Sequence, residues 1–332
     1  MGKMDGQAVV VGIDEAGYGP LLGPLVVSAV VFRVPAEMVR VDWWDRLRAT
    51  VAPAVRAREP RLVVTDSKEL SRRADAMRWL ERPVLTFLSL PDGQGRTRTF
   101  PPSFRGLLGQ LDRDVLRALD GHPWYQDADF ELPVANARND ILIQQAAVRS
   151  SMSQAGMTFV AARSAVLVEG EFNRLVKATR NKSVVLLGQT IRLIQRVMQS
   201  AHLSHTHVFI DKQGGRQSYV RPLMTAFEDA HLEIVTETDT RSAYRLTGAG
   251  GLCEIEFVQE GEKHHMPIAL ASIYSKYVRE LFMRAFNAFW RRHVPTVSET
   301  AGYYTDGKRF LKAIEPAIAR LGVSRELLVR IR

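Results

Sequence analysis

The chain has 332 residues, with 45 Lys and Arg against 36 Asp and Glu, and a formal net charge of +9. Apolar residues make up 46% and charged residues 24%, which excludes a chain dominated by disorder and supplies enough material for a sizeable core. A single cysteine, Cys253, excludes an intrachain disulfide framework and a cysteine-based zinc cluster, and fits a reducing compartment. No secretory signal reads from the first residues. The longest apolar stretch, 21–32, contains Gly23, Pro24 and Ser28 and falls short of the roughly 20 residues a membrane-spanning helix needs. The expectation is a cytoplasmic protein with no membrane partner. Its excess positive charge points to a polyanion, nucleic acid first.

Residues 9–13 are a β-branched run without polar alternation and predict a strand buried on both faces, with 25–32 as its partner and a glycine–proline turn between them. A short strand at 61–65 leads through Asp66 and Ser67 to a helix over 72–81. From 83 to 157 the character changes: a Pro- and Gly-containing stretch, a helix over 107–119, an aromatic loop at 123–125 and a helix over 136–154 read as an inserted helical subdomain of unknown role. A strand over 158–168, a new element from Glu169, an amphipathic helix over 183–200 and a strand over 207–211 follow. Residues 242–246 and 252–259 predict a hairpin about a Gly-rich turn; helices over 267–291 and 309–320 close the chain. Alternating strands and helices with a hairpin make this an α/β protein with a mixed central sheet flanked by helices and a C-terminal helical portion.

Three acidic residues stand at predicted strand ends: Asp14 and Glu15 after the first strand, and Asp211 after a later one. Each alone reads as a turn cap. Several together are costly to desolvate unless they bind something positive. On the long helix, Ser272, Lys276 and Glu280 share a face, where Lys276 and Glu280 read either as a solvated ion pair or as part of a site. Four gathered carboxylates suit two hard divalent ions, Mg²⁺ or Mn²⁺. Strand neighbours point to opposite faces, so Asp14 and Glu15 reach one point only if the strand ends or twists there, which Gly17 and Gly19 permit.

The stretch Gly12-Ile-Asp-Glu-Ala-Gly-Tyr-Gly-Pro-Leu-Leu-Gly-Pro resembles the opening motif of type 2 ribonucleases H, the HII and HIII enzymes. Asp66-Ser-Lys-Glu-Leu-Ser resembles that family's second motif, Glu171-Phe-Asn-Arg-Leu its acidic-Asn helix start, and Phe209-Ile-Asp its strand with the third carboxylate. Ala271-Ser-Ile-Tyr-Ser-Lys-Tyr-Val-Arg-Glu is similar to its Ala-Ser-Ile helix, and Ala301-Gly-Tyr-Tyr-Thr to its Gly-Tyr-x-Thr motif. The pieces keep the family's order and cover most of 8–82 and 158–325, so 1–82 with 158–332 reads as the catalytic domain.

The resemblance implies a ribonuclease H-like fold that hydrolyses the RNA strand of RNA–DNA hybrids or junctions with two divalent ions, leaving a 3′-hydroxyl. Asp14, Glu15, Asp211 and Glu280 would hold the ions. Gly17, Tyr18, Gly19, Ser67, Lys68, Ser272, Lys276 and Tyr303 would contact the substrate, Lys68 and Lys276 as electrostatic helpers near phosphate. Three positions depart from the family pattern: Tyr18 stands where it has Arg or Lys, Lys212 where it commonly has Gly, and Glu280 where it has Asp. RNA selectivity must come from a 2′-hydroxyl contact, which leaves Tyr18 or the backbone of Gly17 and Gly19 to make it. A monomer is expected.

Two other readings stay open: a hybrid-binding protein that has lost cleavage, and a nuclease of the same superfamily acting on DNA. His264 and His265, with Glu260 and Glu262, form a weak candidate metal patch. Asp239, Glu254 and Glu256 are reserve carboxylates. Lys177, Arg180, Lys182, Arg192 and Arg196 read either as phosphate contacts or as a solvated surface, and Trp124 and Tyr125 either as base-stacking groups or as core anchors.

Overall fold

The structure is a computed structural model and describes residues 6–56, 58–92, 95–96, 98–200, 205–248 and 251–331. Part of the Gly-rich hairpin turn and three positions of the 83–157 segment lie outside the described residues.

The β-branched runs form β1 (Gln7–Ala16) and β2 (Leu25–Pro35), followed by a short α1 (Trp43–Arg46) and a two-stranded ribbon of β3 (Val51–Ala52) and β4 (Leu62–Val63). Then come α2 (Ser67–Ser71), α3 (Ala76–Leu88), α4 (Phe104–Leu111), α5 (Val115–Leu119), α6 (Pro123–Gln126) and α7 (Arg138–Gln154). The second half holds β5 (Thr158–Leu167), α8 (Glu169–Thr179), α9 (Lys182–Ser200), β6 (His205–Asp211), α10 (Val220–Ala226), β7 (His231–Glu237), β8 (Arg241–Gly248) and β9 (Gly251–Val258). It ends in α11 (Met266–His293), α12 (Tyr304–Leu321) and α13 (Arg325–Leu328). No helix among the described residues is long and apolar enough to cross a membrane.

The main sheet has seven strands in the order β5-β2-β1-β6-β9-β8-β7. The central three, β1, β6 and β9, run parallel, and their outer neighbours are antiparallel. This is the mixed α/β sheet the sequence predicts. The hairpin is β8–β9; β7 was not foreseen, because its residues are mostly exposed and carry no burial alternation.

Strand alternation divides the interior into two cores. Val10 packs with α11 and the 83–157 helices on one face, while Val9, Val11 and Ile13 pack with α8, α9 and α10 on the other. Helix α11 runs against the first face and is buried over most of its length, which its apolar spacing requires. At Gly12 the strand touches the helix start: a Cβ there would lie 2.1 Å from the carbonyl carbon of Pro267. Glycine at this position is what lets β1 and α11 meet.

The segment 83–157 packs into the same core as the rest. Its lower boundary falls inside α3, and Trp124 and Tyr125 are buried core anchors, Trp124 stacked on Trp290 (centroids 6.2 Å apart) and Tyr125 edge-on to Phe282 (4.9 Å). The predicted helix over 107–119 breaks into α4 and α5 at Asp112, whose carboxylate accepts the Val166 N–H at 2.8 Å and so ties the break to β5. Glu81, fully buried on α3, accepts the N–H groups of Val134, Ala135 and Asn136 (2.6, 2.8 and 2.9 Å) and the hydroxyl of Tyr277 on α11 (2.9 Å). One carboxylate thus holds the loop before α7 to the central helix. Glu81→Ala leaves three amides and a phenol unsatisfied in the interior and is expected to cost about 3–5 kcal/mol, read from urea midpoints.

Candidate functional site

The parallel pairing of β1 with β6 ends at Ile13 opposite Ile210, so Asp14 and Asp211 emerge side by side at the carboxyl ends of adjacent strands. Parallel β9 ends at Val258 opposite Asp211, and the chain turns at once into a 3-10 turn, Gly261–Lys263, that carries Glu262. Three neighbouring strands therefore deliver acids to one end of the sheet, the place where open α/β sheets bind ligands. The Gly261 N–H donates to Asp211 Oδ1 at 2.8 Å, which locks that turn onto β6. Glu262 is buried, and its Oε2 has no hydrogen-bond partner among the described residues.

Asp14 is buried on the α11 face. Ser272 hydrogen-bonds its carboxylate and Ser275 Oγ donates to its carbonyl at 2.9 Å. Ser67 at the start of α2 meets Ser272 Oγ at 2.9 Å, and the next residue, Lys68, reaches 3.6 Å from Glu262. Glu15 lies on the α9 face by alternation. The strand neither ends nor breaks at these residues, since β1 stays paired with β2 through Ala16, so the two acids reach the site around its free edge.

The electrostatics are those of crowded, buried negative charge. Burial first, and then the charge of Glu15, push Asp14 well above the usual carboxylate range; its bond from Ser272 offsets this only in part. Burial and the Asp211 charge raise Glu15 to about 7, and burial with the charges of Asp14 and Glu262 raises Asp211 to about 8. For Lys68, burial opposes protonation, but the charges of Glu262, Asp66, Asp14 and Asp211 prevail and raise its pKa. An open polar cleft of about 620 Å³ borders Asp211, Glu262, Lys68 and Lys212.

The all-oxygen donor set and the unpartnered Glu262 oxygen fit hard divalent ions. Among the described residues no three His, Cys, Asp or Glu side chains are drawn up as a ready metal-binding group.

Of the predicted site residues, Asp14, Glu15, Asp211, Ser67, Lys68 and Ser272 come together. Glu280 does not join them. It lies two turns beyond Ser272 on α11, roughly 12 Å along the axis, and pairs with Lys276 at 2.8 Å. Lys276 in turn sits 6.0 Å from the ring of Tyr303, which is half exposed at the start of α12. The acid that does stand with the strand-end carboxylates is Glu262, which the sequence showed only beside a doubtful histidine patch. Those histidines are elsewhere: His265 stacks on Phe209 (centroids 4.3 Å) and burial lowers its pKa to about 4. Glu254 and Glu256 are held by Arg40, with Arg245 and Arg241 as further partners. Lys212 donates to the carbonyls of Thr238 and Asp239.

The loop after β1 is clamped from beneath by residues the sequence did not single out. Gly17 adopts φ +86°, and a Cβ there would lie 2.4 Å from the Pro24 carbonyl oxygen. Buried Arg330 donates to the carbonyls of Gly17 and Tyr18, with its guanidinium 3.9 Å from the Phe172 ring. Buried Arg279 donates to the carbonyls of Leu22 and Ala301, both at 3.0 Å, and buried Glu169 accepts the Gly23 N–H at 3.1 Å. Burial and the charge of Arg279 lower the Arg330 pKa to about 9.

Several solved structures are similar to this chain along most of its length. A Q54A mutant of Bst-RNase HIII is 16% identical, with 97% of this chain and 65% of that one covered and a TM-score of 0.45. RNase HII of Archaeoglobus fulgidus, solved with PCNA, is 14% identical over 98% of this chain and 94% of its own, with a TM-score of 0.41. Bst-RNase HIII in complex with Mn²⁺ is 14% identical over 98% and 67%, with a TM-score of 0.42. The chain is similar to type 2 ribonucleases H. It spans less than two thirds of the HIII chain first named. No protein-family model and no curated protein matches it.

Two outcomes follow from the site's charges and its clamp. Because Glu15 and Asp211 hold protons in the folded chain that the unfolded chain has lost, metal-free stability is greatest below about pH 4 to 4.5 as regards these groups and falls as pH rises through 7 to 8. Melting in EDTA against Mn²⁺ is therefore expected to show a larger metal-induced rise at pH 8 than at pH 6, and Asp14→Asn to raise the metal-free melting temperature while removing most of that rise. Arg330→Met is expected to speed hydrogen exchange of amides 17–23 by about tenfold or more while amides of β1 and β6 keep their rates.

Proposed function

We propose that the chain is a metal-dependent endonuclease that hydrolyses the RNA strand of RNA–DNA hybrids or junctions and leaves a 3′-hydroxyl. The observation that carries this reading is the convergence of Asp14, Glu15, Asp211 and Glu262 at the carboxyl ends of three parallel strands. Such a set, buried and mutually repelling, is stable as anions only around cations. Asp14, Glu15, Asp211 and Glu262 would hold Mg²⁺ or Mn²⁺, with Asp14 and Asp211 the most central. The chemistry such ions would supply there is activation of a water for attack on phosphorus and neutralisation of charge on the departing 3′-oxygen.

The chain's own groups supply the rest. Ser67 and Ser272, bonded to each other, fix the carboxylate of Asp14 from the α11 side. Lys68 stands at the cleft mouth, where it offsets charge that builds on phosphate. Lys276, held by Glu280, and the exposed ring of Tyr303 form a second contact surface further along α11, suited to a sugar or phosphate beside the cleaved bond. Glu280 is thereby a positioning residue for Lys276. The Gly17 and Tyr18 carbonyls are occupied by Arg330, so reading of a 2′-hydroxyl falls to the Tyr18 hydroxyl or the Gly19 N–H.

The test is cleavage of end-labelled duplexes holding one ribonucleotide, four or more, or none, in Mg²⁺ and in Mn²⁺. Cutting only at ribonucleotides, lost by at least about 10³-fold in Asp14→Asn and Glu262→Gln and by roughly tenfold in Glu280→Gln, is the expected result. Equal cutting of all-DNA duplex would make this a DNA nuclease of the same fold. Binding without cutting in either metal would make it a hybrid-binding protein.

A further inference from the structure

Two basic residues of the 177–196 stretch are held by acids on other elements. Lys177 pairs with Glu326 and Arg196 with Asp114, both at 2.5 Å. Around the cleft, Lys68 faces Glu262, Lys263 pairs with Glu260, Lys276 with Glu280, and Lys212 is bound to two carbonyls. Two half-buried cations near the carboxylates have no acidic partner among the described residues: Lys182 and Arg216. They come from different elements and meet at the start of α9. Lys182 Nζ lies 4.8 Å from the centroid of the Tyr18 ring, and Arg216 stands over the Tyr219 ring at 5.9 Å and bonds Ser183, the residue after Lys182.

The backbone builds this meeting deliberately. Arg180 ends α8 in the left-handed conformation (φ 53°), and Asn181 accepts the Ser183 N–H at 2.9 Å, so the chain reverses and presents Lys182 at the first turn of α9. Gly214 (φ 60°) turns the loop after β6, and Arg216 is then held by a bond to Ser183 Oγ at 3.3 Å. Tyr18 is three residues beyond Glu15 and Arg216 five beyond Asp211, so the trio is tethered to two of the strands that carry the acids. Two positive charges with no acidic partner among the described residues, one of them against the ring of a tyrosine that carries a hydroxyl donor, form a receptor for a tetrahedral anion.

We propose that Tyr18, Lys182 and Arg216 form a phosphate subsite that grips a phosphodiester next to the one lying on the carboxylates. The subsite rests on the nucleic-acid reading above and adds to it the direction in which the bound strand leaves the cleft, over the α9 face of the sheet. The Tyr18 hydroxyl, whose pKa burial and the Glu15 charge raise, donates to a phosphate oxygen, and the 2′-hydroxyl then falls to the Gly19 N–H. Lys182 and Arg216 provide charge, and the α9 amino end adds to the same positive potential.

The experiment uses the full chain carrying Asp14→Asn, with fluorescence anisotropy of a labelled RNA–DNA duplex and of an all-DNA duplex over a salt series. Lys182→Gln with Arg216→Gln is expected to weaken binding at least about tenfold and to reduce the salt slope by about 2, and each single change by about 1. Lys182→Arg should keep the slope, Tyr18→Phe should weaken binding a few-fold at unchanged slope, and Lys177→Gln with Arg196→Gln should leave both unchanged. An unchanged slope in the first double variant, with melting temperature and parent binding intact, overturns the subsite alone. No salt-dependent binding of either duplex by the parent overturns the subsite together with the nuclease reading.

Discussion

The rest of the structure is arranged around one electrostatic constraint: several carboxylates are held close together out of water at the ends of adjacent parallel strands. Parallel strands bring their carboxyl ends to the same edge, so acids placed at those ends in sequence are forced together in space. Desolvation then makes each a poor anion, and each raises its neighbours further. The arrangement carries a free-energy cost in the metal-free chain that a bound cation would offset. The surrounding polar groups are spare: one serine and the Glu15 amide on the Asp14 carboxylate, one amide on Asp211, one lysine near Glu262. A scaffold that satisfied the acids fully would leave nothing for a cation to do.

The same logic explains the handling of buried positive charge. Arg279 and Arg330 lie in the layer beneath the site, yet they donate to main-chain carbonyls of the 17–24 and 301 loops and not to the strand-end acids. They stiffen the loop that follows β1 without neutralising the cluster. Glu169, raised to about 7 mainly by burial, completes the layer by taking the Gly23 N–H and the Tyr125 hydroxyl. Through Tyr125 the 83–157 segment is joined to the site's support, as it is to α11 through Glu81. The segment is therefore part of the core that positions α11, and α11 in turn positions Ser272 and Ser275.

The net charge of +9 is distributed with equal selectivity. Many arginines and lysines are tied to local acids on the surface, where each pair contributes little to stability. The unpaired ones near the cleft are few, and it is their lack of a partner that marks them. Composition reports the excess charge; only the pairing shows where it is available.

Much of this could be read from the residues alone. The buried central strands followed from unbroken β-branched runs, the long helix from its 3-4 apolar spacing, and Asp14, Glu15 and Asp211 from their position at strand ends, because local periodicity reports burial directly. Glu262 escaped, since it follows a strand by four residues in an irregular turn, and no local pattern separates such an acid from a solvated one. Glu280 drew attention in its place because it shares a helical face with Lys276 and Ser272, although helical rise carries it two turns away. Arg330, Arg279 and Arg216 escaped, and Lys182 stood undistinguished among its basic neighbours, because a charge acquires its role from partners hundreds or tens of residues distant. The sequence by itself determined the elements, their faces and the acids at the strand ends, which depend on near neighbours along the chain. The tertiary structure alone decided which acids meet, which cations remain unpaired and which loop is held rigid, because desolvation and Coulomb interaction depend on distance in space.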